Sequence, residues 1–102
     1  MSYIKPEQAR SPREYWTLIQ VLVDQGESNG TEGKWSLAVG DWDGERRLAV
    51  RWNGTKDRPA GNPQSRGMPT WFVLPPEFEG ALISIVPADK VALVKALLNI
   101  AT

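Results

Sequence analysis

The strongest constraint on this fold lies between Lys34 and Gly54, where an Asp43-Gly44 pair is flanked on both sides by alternating residues. Asp-Gly accepts the positive φ angles of a two-residue hairpin turn, and such a turn dictates the register of the strands it joins. Val39 then faces Leu48, Leu37 faces Val50 and Trp35 faces Trp52 on one side of the ribbon. The other side pairs Gly40 with Arg47, Ala38 with Ala49 and Ser36 with Arg51, with Trp42 beside the turn. A slip of one residue would mix these two sets, so the pattern selects its own register. The first side reads as core, including Trp35 and Trp52. On the second, Ser36, Ala38, Gly40 and Ala49 make a shallow floor beneath Arg47, Arg51 and Trp42, a shape suited to a flat ligand.

The remaining chain arranges itself around this hairpin. Residues 1–10 are polar, carry Pro6 and read as a loose arm. Tyr15 to Asp24 is rich in β-branched and aromatic residues and reads as a strand, although Ser11-Pro12-Arg13-Glu14 resembles a helix start. Gln25 to Lys34, with three glycines, is a loop. Asn53 to Pro69 is a long connection in which Pro59, Pro63 and Pro69 exclude regular structure through most of its length. A short strand bracketed by Pro69 and Pro75 follows, and Pro76-Glu77-Phe78-Glu79 opens a helix that ends before Pro87. Residues 87–101 form a second helix. Its apolar residues cover so much of its circumference that it must be buried, in its own domain or against a partner. The expected architecture is α+β: a four-stranded antiparallel meander followed by one or two C-terminal helices. It forms one domain over residues 1–102, with the sheet and first helix spanning 15–83.

Composition narrows the function. The chain has 102 residues, no cysteine and no histidine. Disulfides, thiol chemistry and the usual transition-metal ligands are thereby removed, as is the side chain that most often acts as general base. No enzyme, metal or cofactor is expected. No apolar run is long enough for a membrane span, and the N-terminus lacks the apolar core of a signal peptide, so a cytosolic product is expected.

Twelve basic residues balance twelve acidic ones, yet from residue 46 to residue 66 six basic residues meet only Asp57. That local excess reads as an anion-binding patch or as a solvated loop. The candidate nucleic-acid-binding residues are Trp42, Arg46, Arg47, Arg51, Lys56, Arg58, Arg66 and Trp71. Basic groups would track phosphates while aromatic rings stack on bases, as single-strand recognition requires.

Trp35, Trp42-Asp43-Gly44, Ala49-Val50-Arg51-Trp52-Asn53, Arg66-Gly67 and Trp71-Phe72-Val73-Leu74-Pro75-Pro76-Glu77-Phe78-Glu79 occur in an order that carries a resemblance. Over residues 15–83 the chain resembles the single-stranded-DNA-binding transcriptional coactivators of the positive-cofactor-four type, particularly their bacterial YdbC-type relatives. The resemblance implies a curved four-stranded sheet, a dimer formed largely through helices, and single strands bound across the sheets. It places Arg51 and Trp52 at or near the nucleic-acid surface, and Arg66 and Gly67 where a basic residue and a glycine lead into the last strand. Because the hairpin pairing assigns Trp52 to the core, Arg51 is the residue that transfers.

Two functions therefore stand as expectations. One is a homodimeric module binding single-stranded DNA or RNA. The other is a protein-interaction or oligomeric scaffold with no nucleic-acid role, which accounts for the zero net charge and the apolar tail and uses the same aromatic and arginine residues.

Overall fold

A computed structural model describes residues 3–100. Residues 1–2 of the expected arm and Ala101 of the expected last helix lie outside them. Strands β1 (Trp16–Asp24), β2 (Trp35–Trp42) and β3 (Glu45–Trp52) are followed by two-residue strands β4 (Gln64–Ser65), β5 (Met68–Pro69) and β6 (Phe72–Val73). The main sheet is antiparallel in the order β1-β2-β3-β6, and β4 pairs with β5 in a small hairpin of its own. Helices α1 (Glu79–Leu82) and α2 (Val91–Leu98) come last, each led by a 3₁₀ turn, at Pro76–Phe78 and Ala88–Lys90. The α+β meander and its two C-terminal helices are as the sequence implies.

The β2–β3 register matches the pairing set by the turn, from Trp35 opposite Trp52 to Trp42 opposite Glu45. Asp43 (φ +50°) and Gly44 (φ +86°) supply the two positive angles. Strand β1 departs from simple alternation. Register shifts between Leu18 and Gln20 and between Val21 and Val23 divide its apolar residues between the two faces of the sheet. Trp16, Leu18 and Val21 go to one face, and Leu22 and Val23 to the other.

On the helical face, Leu22, Leu37, Val39, Leu48, Leu74, Val86 and Val94 form the main core. Val91, Leu97 and Leu98 of α2 pack against it half-buried while Leu93 is 41% exposed, so the apolar tail expected to be buried is covered only in part by its own sheet. The helix ends at Asn99 (φ +59°), where the N–H groups of Asn99 and Ile100 return to the carbonyls of Ala96 and Lys95.

The opposite face overturns two expectations. Ser36, Ala38 and Ala49 are buried, and the small-residue floor is filled by the protein's own Trp16 and Trp71, whose ring centroids lie 6.4 Å apart. Gly40 shows why the floor must be small: a Cβ there would lie 2.5 Å from the Thr17 carbonyl oxygen and 2.6 Å from the Trp16 ring. Residues 3–10 are not a loose arm. Pro6 and Ala9 are buried, Ile4 donates its N–H to the Pro59 carbonyl, and the Ala9 carbonyl accepts the Trp71 indole N–H at 2.6 Å. This bond gives the buried Trp71 indole N–H a partner it would be costly to lack, whereas the Trp16 indole N–H has none among the described residues.

One buried acid works against stability. Glu79, at the start of α1, is 8% exposed, and its Oε2 finds no hydrogen-bond partner among the described residues. Burial pushes its carboxyl above the usual range, Arg47 partly opposes this and Glu77 adds to it. The folded state thus holds this proton more tightly than the unfolded chain. Its contribution is fully present below the unfolded pKa and is lost as pH rises through the raised folded value. Glu79→Gln is expected to stabilise the protein at about pH 7 by on the order of 1 kcal/mol, with the gain shrinking toward about pH 4. Urea unfolding at both pH values checks this; an equal effect at both would contradict it.

Candidate functional site

The eight residues singled out above do not form one surface. Arg51 is 4% exposed: its guanidinium donates to the carbonyls of Thr70 and Ala60 and lies 5.8 Å from the Trp71 ring centroid. Burial lowers its pKa to about 10, which leaves it charged at neutral pH. Trp71, 7% exposed, belongs to the filled floor. Both residues are structural because the chain's own carbonyls and rings occupy them. Arg46 forms an ion pair with Asp41 at 2.6 Å and donates to the Leu97 carbonyl at 3.1 Å, tying the hairpin to the last turn of α2. Arg47 pairs with Glu45 at 2.5 Å and donates to the Arg46 carbonyl.

The local positive charge is thereby answered at Arg46 and Arg47. Asp41 and Glu45 precede the basic stretch in sequence, but the hairpin brings them beside it. Lys56, Arg58 and Arg66 remain exposed along the connection from β3 to β6. Arg66 (φ +53°) and Gly67 (φ +78°) form the tip of the β4–β5 hairpin. Lys56 lines a polar hollow with Glu27, Ser28, Asn29 and Asp57. Trp42, Arg47 and Trp71 meet along one shallow groove of about 530 Å³ that Phe72 and Pro63 also line. Trp42 stacks at a tilt on Tyr15, with centroids 5.8 Å apart.

The most developed open surface lies elsewhere. A groove of about 640 Å³ is lined by Trp35, Val50, Trp52, Asn62, Pro63, Phe72 and Ile85, with buried Arg51 behind them. Trp52 is 56% exposed and Phe72 60%, so the expectation that Trp52 is core is wrong. Its backbone register is as expected. The helices, however, cover only the part of the sheet around Leu37, Val39 and Leu48, and leave the Trp35–Trp52 end open. The Trp52 ring lies instead against Gly33, where a Cβ would come within 2.7 Å of it. Bridging hydrogen bonds between Trp52 and Asn62, both backbone, hold the connection at the groove's wall.

Phe72 is the residue that reading the sequence missed. Alternation places it on the face opposite Trp71, and the sequence points to Trp71 as the ligand-facing ring. The register, Val50 opposite Phe72, shows that Phe72 shares the Trp35–Trp52 face. Pro63 and Phe72 line both grooves, which adjoin there, with Trp52 in one and Trp42 in the other.

Among the described residues no group of three or more His, Cys, Asp or Glu side chains could hold a metal, and no helix is long and apolar enough to cross a membrane. No protein-family model, curated protein or solved structure matches the chain. The coactivator resemblance therefore rests on the residues quoted for it alone.

Arg51 is expected to govern stability. A lysine cannot serve two separated carbonyls with one planar fork. Arg51→Lys should cost about 2–4 kcal/mol in urea unfolding, since each buried charge-assisted bond is worth about 1.5–3 kcal/mol. A loss below about 1 kcal/mol would show the clamp to be unimportant.

Proposed function

We propose that this protein is a protein-interaction module whose partner seats in the groove bounded by Trp52, Phe72 and Ile85. One observation carries the reading: two aromatic rings, each more than half exposed, flank an apolar groove whose single cation is already bound to the chain's own carbonyls. Large side chains left in water at the rim of a concave apolar surface mark binding sites, because their burial by a partner is the main favourable term available there. Tryptophan supplies the largest such contribution at interfaces, and neighbouring arginines need not be free.

A second reading, binding of single-stranded DNA or RNA, is favoured by the exposed rings of Trp52, Phe72 and Trp42 in two adjoining grooves, with Arg47 in one of them. Bases stack on such rings for about 1–3 kcal/mol each. Its weakness is electrostatic: phosphate tracking needs cations that are open to the ligand, and three of the predicted arginines are paired or buried.

Selection of random peptides on phage against the wild type and against a Trp52→Ala/Phe72→Ala variant tests the first reading. Peptides should enrich on the wild type and be lost on the variant, while circular dichroism shows the variant folded. Sedimentation of the same proteins reports whether a second copy of the chain is the occupant. Equal enrichment on both proteins would overturn the reading. Anisotropy with labelled oligo-dT separates the alternative: tight binding that falls steeply with salt supports the nucleic-acid reading in its place.

A further inference from the structure

Resting on the protein-interaction reading, we infer that the groove's ligand is an extended, proline-rich segment in the polyproline II conformation. The inference follows from what each class of ligand demands of the surface and what this surface offers.

A peptide that binds by strand addition needs a free sheet edge with a run of unpaired N–H and C=O groups. The edge here is β6, only two residues long, with Pro69 before it and Pro75-Pro76 after it. Proline carries no N–H, so a ladder along this edge stops almost where it starts. An amphipathic helix about 10 Å or more across needs a long channel to seat successive turns. The floor here is short: Trp35, Val50, Trp52 and Phe72 occupy the open end of one sheet face, closed on the helical side by Ile85. A polyphosphate chain needs unpaired cations, and the groove's only formal charge, on Arg51, is committed to Thr70 and Ala60.

A polyproline II segment makes none of these demands. It forms no internal hydrogen bonds, keeps its backbone solvated and is partly ordered before binding, so little entropy is lost on docking. Its rings pack flat between aromatic walls, and Trp52 and Phe72 supply two such walls in one groove. Its uncharged surface complements an uncharged groove. Its carbonyls need only a few donors, which the exposed Asn62 carboxamide and the tryptophan indoles of the lining provide.

The test is a titration of the ¹⁵N-labelled full chain with decaproline, and separately with a glycine-serine peptide of equal length, followed by amide and indole N–H shifts. Decaproline should move the indole resonances of Trp35 and Trp52 and the signals of Asn62 and Phe72, while the glycine-serine peptide leaves them in place. Phe72→Ala and Ile85→Ser, both exposed positions, should each weaken decaproline binding by about fivefold or more while the remaining spectrum stays that of a folded protein. No shift with decaproline, or equal shifts with both peptides, would overturn the inference. If non-proline peptides selected on phage move the same resonances while decaproline does not, the inference fails and the interaction reading survives. If only oligo-dT moves them, both fail.

Discussion

The positive φ angles at Asp43 and Gly44 lock β2 against β3, and the placement of nearly every other element inherits that register. With Val39 opposite Leu48 and Leu37 opposite Val50, one face of the ribbon is apolar and receives α1 and α2. With Ala38 opposite Ala49, the other face is low enough for two indoles to pack upon it. A register shifted by one residue would put alanines under the helices and leucines under the indoles. Both layers of the protein therefore depend on one two-residue turn.

Arg51 joins the second layer to the groove. Its guanidinium gathers Ala60, near the middle of the proline-rich connection, and Thr70, just past its end, beside Trp71. The connection has little regular structure of its own, and this clamp acts together with the Trp52–Asn62 backbone bonds and the Thr70 N–H bond to the Pro63 carbonyl to hold Asn62 and Pro63 at the groove's wall. A charged side chain in the interior is ordinarily a liability, and it is tolerated here because its donors meet backbone carbonyls that would otherwise lack partners. The residue that most resembled a phosphate ligand acts instead as internal scaffolding.

The hairpin, the opening strand, the loop after it and the helix starting at Pro76 were legible because local signals decide them: Asp-Gly, β-branched runs, glycine clusters and an N-terminal proline. The fate of each face was not. Small residues at 36, 38, 40 and 49 correctly announced that something flat covers them, but no local pattern says whether that object is a ligand or the chain's own Trp16 and Trp71. The sequence points Trp52 inward because its neighbours in register are core. How far along the sheet a helix reaches is a tertiary fact, and it left this end uncovered. The charge excess after residue 46 likewise depended on where the window began, since Asp41 and Glu45 stand across the turn from Arg46 and beside Arg47 in space.

What results is a protein in which Arg46, Arg47 and Arg51 face inward or toward neighbouring acids while Trp52 and Phe72 face outward, against the usual distribution of these residue types. Hydroxyl-radical footprinting of the free protein, read residue by residue by mass spectrometry, tests that inversion most directly. The account predicts strong oxidation at Trp52 and Phe72, moderate oxidation at Trp42, and protection of Trp16 and Trp71. Protection of Trp52 and Phe72 together with oxidation of Trp71 would contradict it, and would return the open face of the sheet to the Arg51 side.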